Sequence, residues 1–227
     1  MAKIAVDVAL LPSEEMMDKA IDANRDLLKQ HPDKIVLVQT DSEPPLLPRE
    51  AGALGVPHIS LAMGCIDEKD IAEIEKVLEA IAEQHSLGKL IVVGITVSTN
   101  SVGEKVSSFQ IERTETIQLL HEEVMRTLRP YFSYDATVET VLTPPQVSES
   151  TLLWIKNYPE KSSFEKFFPH ITLGYGQIKV GAVREPPLRT RGVGCFPIKF
   201  TVSKLALCHL GNHCTCRKIL AATELKS

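Results

Sequence analysis

The sequence has no long hydrophobic run and no strong excess of charge of one sign. No window approaches the roughly 20 uninterrupted apolar residues that a membrane span needs, and Asp7 interrupts the amino-terminal run before it reaches the length of a signal peptide. The chain holds 25 basic and 29 acidic residues, a formal net charge of −4. We therefore expect a cytoplasmic protein that contacts no membrane and does not hold a long nucleic acid by net charge, whereas a small anionic ligand stays open.

Cysteine and aromatic residues are scarce. The five cysteines are an odd number, which is typical of reduced thiols in an intracellular protein. Three of them cluster with two histidines near the carboxyl end: Cys208, Cys214, Cys216, His209 and His213. Their spacing differs from that of structural zinc sites, where paired ligands lie about two to four residues apart. We expect a hairpin with packed thiols there and predict no metal and no cofactor. A zinc protein is a rival hypothesis, and it predicts stoichiometric metal in the purified chain.

Apolar residues make up 44% of the chain and charged residues 24%, which is typical of a folded globular protein. Segments that alternate like strands are interleaved with segments of helical period. The predicted strands cover 4–11, 34–39, 56–63, 90–98, 106–112, 138–142, 167–175, 198–210 and 215–222, and the predicted helices 14–31, 67–85, 115–128 and 148–158. This order predicts an α+β fold.

One segment of the sequence is repeated. Val56–Gly64 reads VPHISLAMG and Phe168–Gly176 reads FPHITLGYG, so proline, histidine, isoleucine, a hydroxyl residue, leucine and a final glycine stand at the same offsets. The bare triplet of histidine, any residue and serine or threonine also occurs at His213–Thr215, without the preceding proline or the apolar residues that follow. The longer repeat predicts two related lobes that bring the segments together across a pseudo-twofold axis.

Strand geometry places the polar residues of each copy on one face. Because side chains alternate along a strand, His58 and Ser60 point to one side in the first copy, and His170 and Thr172 do so in the second. Two histidines across a cleft suit phosphodiester cleavage, since one takes a proton from the attacking water and the other gives one to the leaving oxygen. The hydroxyl groups are suited to donate to the non-bridging phosphate oxygens, and this chemistry requires no metal.

These residues resemble the two signature motifs of the 2H phosphoesterase superfamily, which includes 2′-5′ RNA ligase-like and cyclic phosphodiesterase proteins. The resemblance implies a bilobal fold of two antiparallel sheets flanked by helices around a central groove. It also implies that His58 and His170 are the catalytic pair, with His170 as base and His58 as acid, and that Ser60 and Thr172 bind the scissile phosphate. Serine at position 60 is a departure, because threonine is common there, but it keeps the hydroxyl group.

The segment 181–194 is rich in proline and glycine and is predicted to be a loop. It carries Arg184, Arg189 and Arg191, whose guanidinium groups suit contact with a phosphate or a nucleotide. A solvated loop explains them equally well, and both interpretations stay open.

We therefore expect residues 1–227 to form a single bilobal domain and the protein to be a monomer. The predicted function is metal-independent hydrolysis of cyclic phosphate or 2′-5′ phosphodiester bonds, as in RNA processing, on a small nucleotide or an RNA 2′,3′-cyclic phosphate end. The alternative is a non-catalytic module of the same fold that binds nucleotides or RNA ends. Turnover of substrate separates the two hypotheses.

Overall fold

The computed structural model describes residues 2–31, 34–39, 53–142, 147–178 and 196–226, and within them the chain is α+β, as predicted. The strands are β1 (Lys3–Pro12), β2 (Ile35–Leu37), β3 (Ala53–Gly55), β4 (Ile59–Asp67), β5 (Lys89–Thr99), β6 (Lys105–Ile111), β7 (His170–Tyr175), β8 (Ile198–Leu210) and β9 (Cys216–Glu224). The helices are α1 (Glu14–Leu28), α2 (Ile71–Ala82), α3 (Glu115–Leu128) and α4 (Glu149–Ser162).

Seven of these strands form one antiparallel sheet in the order β4-β1-β8-β5-β6-β7, with β9 also paired to β8. The long strand β8 belongs to both halves, because Ile198–Thr201 pair with β5 while the residues from Val202 onward pair with β1 and those from Lys204 onward with β9. The two predicted antiparallel sheets are therefore continuous through β8. The edge strands β4 and β7 carry the two copies of the repeated segment.

The helices cover this sheet with their apolar sides. Strand β1 is buried from Ile4 to Pro12, which explains its nearly continuous apolar sequence. Helix α1 packs on β7 and β2, α2 on β9 and β8, α3 on β4 and α2, and α4 on β4. Thr114 and Ser148 cap α3 and α4, because their hydroxyl oxygens accept the backbone N–H groups of Ile117 and Thr151. Both edge strands are thus held in place by helices.

The prediction of a strand at 138–142 is wrong. Val138–Thr140 form a single 3₁₀ turn instead. The Thr140 hydroxyl accepts the N–H of Thr137 and donates to its carbonyl, so local hydrogen bonds close the segment on itself.

The small parallel pair of β2 and β3 forms a separate two-stranded sheet.

The prediction of reduced cysteines is wrong for one pair. Cys208 on β8 and Cys216 on β9 form a disulfide, because neighbouring strands of the hairpin bring their Cα atoms to 5.4 Å. Cys65 and Cys214 are free thiols. The hairpin itself is confirmed. Across the described residues, no group of three or more histidine, cysteine or acidic side chains is arranged to hold a metal ion.

In the ranges that the structure describes, no helix is long and apolar enough to cross a membrane. The predicted loop at 181–194, with Arg184, Arg189 and Arg191, lies outside the described residues.

Candidate active site

The two motif histidines adopt the same local arrangement. Nδ1 of His58 lies 2.7 Å from the carbonyl oxygen of Val56, and Nδ1 of His170 lies 2.8 Å from that of Phe168. Because a carbonyl only accepts, Nδ1 carries the proton in both rings. The residue between each histidine and its carbonyl partner is a proline, whose fixed φ helps to turn that carbonyl back toward the ring. Nε2 is therefore the nitrogen of each ring that does not bond to the backbone.

Both histidines open into one cavity of about 440 Å³, together with Ser60 and Thr172. The structure thus brings together all four residues that the sequence singled out. His58 precedes β4 directly and its side chain is only 12% exposed, whereas His170 begins β7 and is half-buried. The strands β4 and β7 end the strand order of the sheet and pack near each other, so the cavity lies between the two copies of the repeated segment.

Asp7, which was not among the predicted site residues, is completely buried on β1 beside the cavity histidine His58. Its Oδ2 lies 3.4 Å from Nε2 of His58, and the Ser60 hydroxyl donates to the same oxygen at 2.6 Å. Its Oδ1 has no hydrogen-bond partner within the described residues. The signal was a single acid inside an otherwise apolar strand, because a buried carboxylate needs a partner. Asp7 therefore forms a buried triad with one of the two motif copies.

The two histidines differ in their affinity for a proton. Burial lowers the pKa of His58, but the hydrogen bond and charge of Asp7 and the bond to Val56 outweigh it and raise this pKa above 6.5. Burial also lowers the pKa of His170, which the Phe168 carbonyl only partly offsets and the charge of His58 lowers further, so it falls below 6.5. Burial raises the pKa of Asp7 against the opposing effect of His58 and Ser60. Near neutral pH these shifts favour a protonated His58 and a neutral His170.

The two hydroxyl residues also differ. The Ser60 hydroxyl proton is directed at Asp7, whereas the Thr172 side chain makes no hydrogen bond among the residues described here. Of the two, the Thr172 hydroxyl is therefore the one that can donate to a ligand without breaking a bond to another described residue.

His121 connects the two motif copies from behind the cavity. It is completely buried on α3, donates from Nδ1 to the carbonyl of Leu61 at 2.6 Å and accepts the N–H of Phe164 on Nε2 at 2.8 Å. Its ring stacks on Phe167 with centroids 4.0 Å apart. Burial lowers its pKa to about 4, so the ring is neutral and uses both nitrogens. It thereby joins β4 to the turn that precedes His170.

The cavity wall is positively charged although the whole chain is acidic. Lys161 and Lys166 lie on it, and no aspartate or glutamate does within the ranges described. Trp154 and Phe168 also line it and expose 40% and 45% of their surface. None of these four residues was among the predicted site residues, because their meeting at one cavity depends on tertiary packing. Their chemistry suits an anionic ligand that carries a flat ring.

No family model matches the sequence, and no curated protein matches it. Among solved structures, the chain is similar to TT0787 of Thermus thermophilus, with 16% identity, 98% of each chain covered and a TM-score of 0.55. It is also similar to LigT of E. coli in its apo form, with 12% identity, all of each chain covered and a TM-score of 0.47, a value on which we base no argument. The chain thus shares the fold of TT0787, and the shared cavity of its two motifs agrees with the resemblance to the 2H phosphoesterase superfamily.

Proposed function

We propose that this chain is a metal-independent phosphodiesterase of the 2H type, which hydrolyses cyclic phosphate or 2′-5′ phosphodiester bonds of small RNA-derived nucleotides. The observation that carries the proposal is that His58 and His170 face one cavity with pKa values shifted in opposite directions. An acid and a base whose pKa values are shifted apart are suited to general acid–base catalysis.

The protein's own groups move the protons of this reaction. Nε2 of neutral His170 takes a proton from the attacking water while the new P–O bond forms. The Nε2 proton of protonated His58, which faces Asp7 before the reaction, passes to the ribose oxygen as the old P–O bond breaks. The cycle leaves His170 protonated and His58 neutral, and exchange with solvent restores both. Asp7 is a positioning residue, because its carboxylate, 3.4 Å from Nε2, stabilises the protonated form of His58.

Charge that gathers on the non-bridging phosphate oxygens needs donors. We assign the larger part of this role to Thr172, whose hydroxyl is not committed to a group among the described residues. Ser60 contributes less, because its proton is held by Asp7. A donor fixed in advance stabilises the transition state without having to reorient during the reaction.

The substrate class follows from the wall of the cavity. The cations Lys161 and Lys166 attract an anion to a protein with a net charge of −4. The exposed rings of Trp154 and Phe168 offer faces on which a base can stack. A small nucleotide or an RNA end with a 2′,3′-cyclic phosphate combines both features.

The proposal is tested by a panel of nucleoside 2′,3′-cyclic phosphates, ADP-ribose cyclic phosphate and 2′-5′ oligoadenylate, incubated with the protein in excess EDTA. We expect hydrolysis of at least one compound, unchanged by the chelator, with the position of the product phosphate read by ³¹P NMR. Turnover that EDTA abolishes contradicts the metal-independent mechanism. Binding without any product contradicts catalysis and favours the non-catalytic binding module.

A further inference from the structure

A third histidine, His213, faces the same cavity beside the end of β7 that lies away from His170. His213 and Tyr175 both line the cavity, the Tyr175 hydroxyl lies 2.9 Å from Nδ1 of His213, and the rings meet edge to face with centroids 4.8 Å apart. Tyr175 ends the strand that His170 begins, so it lies about 16 Å further along at 3.3 Å per residue. When His58 and His170 hold the phosphate of a ligand, the space beside Tyr175 and His213 can hold another part of the same ligand.

The turn that presents His213 is strained and tightly held. His213 and Cys214 are consecutive non-glycine residues with φ angles of 59° and 55°, in the left-handed region. The Asn212 side-chain oxygen accepts the N–H groups of Ser148 and His213 and the hydroxyl of Thr151. Such a backbone persists only where its surroundings fix it, and it is common at ligand clamps. The network with α4 thus holds the ring at the cavity wall.

Three hydroxyl residues on neighbouring strands form a row across the sheet that begins at Thr172. Thr172 on β7 pairs with Ser108 on β6, and Ser108 pairs with Thr96 on β5. All three line the cavity, as does Ser98 two residues further along β5. Hydroxyl groups both donate and accept, so the row suits the hydroxyls of a sugar and the oxygens of a phosphate.

The His213 end is built for binding rather than for a second reaction. Thr215, the hydroxyl residue of its triplet, is buried and donates to the carbonyl of Asn212 within the turn. Burial raises the pKa of Tyr175 to about 12, so its hydroxyl keeps its proton. The ammonium group of Lys34 lies 5.3 Å from the centre of the Tyr175 ring. Its charge is paired with the carboxylate of Glu104, at 2.9 Å.

We propose that His213 and Tyr175, with the hydroxyl row Thr96–Ser108–Thr172, form a second subsite that binds the ribose–phosphate unit next to the scissile phosphate. The subsite rests on the proposed function, because the scissile phosphate is placed by His58 and His170. It makes a dinucleotide or longer strand a better substrate than a mononucleotide.

The test compares kcat/KM for a dinucleotide that ends in a 2′,3′-cyclic phosphate with kcat/KM for the matching cyclic mononucleotide. We expect the wild-type protein to prefer the dinucleotide by about tenfold or more, since the subsite adds at least one to two hydrogen bonds. Tyr175→Phe and His213→Ala should each reduce this ratio, through a higher KM for the dinucleotide. Tyr175→Phe keeps the ring, so it tests the proposal even if the other variant fails to fold.

His85→Gln is the matched control, because His85 bonds to Glu123 away from the cavity. It should keep the wild-type ratio. A wild-type ratio near one, or a ratio unchanged in Tyr175→Phe, overturns the subsite. Absence of turnover on every substrate contradicts the proposed function instead. In that case calorimetry with a 3′-phosphorylated dinucleotide and mononucleotide still decides the subsite, which predicts tighter dinucleotide binding that Tyr175→Phe removes.

Discussion

The two copies of the repeated segment hold their histidines in the same way but surround them differently. Each ring donates from Nδ1 to the carbonyl two residues before it. His58 then meets a buried carboxylate, Asp7, whereas His170 has no carboxylate at hydrogen-bond distance within the described part of the chain. Identical local geometry therefore presents both rings to the cavity, and the neighbours decide which one keeps its proton. The proposed acid and base are thus two copies of one motif that differ in their surroundings.

Removing either ring is the most severe way to break this pair. His58→Asn and His170→Asn should each lower kcat by about 10²- to 10⁴-fold, the usual contribution of a general acid or base. Because the two act in one step, the double variant should lose little more than the worse single variant. Steady-state hydrolysis of the best substrate in the panel measures this, with circular dichroism to check folding. Either variant retaining wild-type kcat contradicts the catalytic assignment.

Removing the hydrogen bonds of His121, which joins β4 to the turn before His170, should lower the free energy of unfolding. His121→Phe keeps a ring against Phe167 but leaves the Leu61 carbonyl and the Phe164 N–H unpaired. We expect the free energy of unfolding to fall by about 2–4 kcal/mol, because each buried unpaired group costs about 1–3 kcal/mol. Urea unfolding followed by tryptophan fluorescence measures it. His85→Phe removes a partly exposed contact with Glu123 and should cost less than about 1 kcal/mol. Equal losses in the two variants contradict the role of His121.

The hydroxyl residues sharpen the comparison. Thr172→Ala should lower kcat by about 10²-fold, as the loss of one transition-state donor does. Ser60→Ala should lower it less, because the Ser60 proton is directed at Asp7 rather than into the cavity. The two variants are measured side by side on one substrate. A larger loss in Ser60→Ala shows that the serine, and not the threonine, is the principal donor.

The smallest expected effect comes from Asp7→Asn, which removes the charge of this side chain and nearly keeps its shape. The proposed mechanism needs a protonated His58 and a neutral His170, so kcat/KM should fall below the lowered pKa of His170 and above the raised pKa of His58. Asp7→Asn removes the group that raises the pKa of His58, so the alkaline limb should move to lower pH. A shift of one unit lowers kcat/KM by about tenfold above that limb. An alkaline limb that stays in place contradicts the role of Asp7.

The sequence predicts much of this architecture because its strongest signals are local. The helix at 115–128 and the strand at 198–210 have the predicted bounds, since Thr114 caps the helix and Gly211 follows the strand. Strand alternation alone was enough to predict that each motif histidine lies on the same face as the hydroxyl residue of its copy. The apolar residues around 138–142 misled the prediction, because the hydrogen bonds of Thr140 with Thr137 depend on a backbone already turned.

The parts of the site that escaped prediction depend on contacts between distant segments. Asp7 is 51 residues from His58, and its role follows only from the pairing of β1 with β4. The disulfide between Cys208 and Cys216 lies outside the site and escaped prediction for a local reason, because it depends on the register of the last hairpin. The sequence nevertheless contains a signal for Asp7, because it is a lone acid in an otherwise apolar strand. His213 left only a bare triplet, and its meeting with Tyr175 needed the fold.

The central claim is that the two motif histidines hold protons with unequal strength. NMR titration of the imidazole resonances, assigned with His58→Asn and His170→Asn, measures both pKa values in the intact protein. The account predicts that His58 titrates above 6.5 and His170 below it, with the His58 value falling in Asp7→Asn. Equal pKa values, or a His170 that titrates above His58, contradict it.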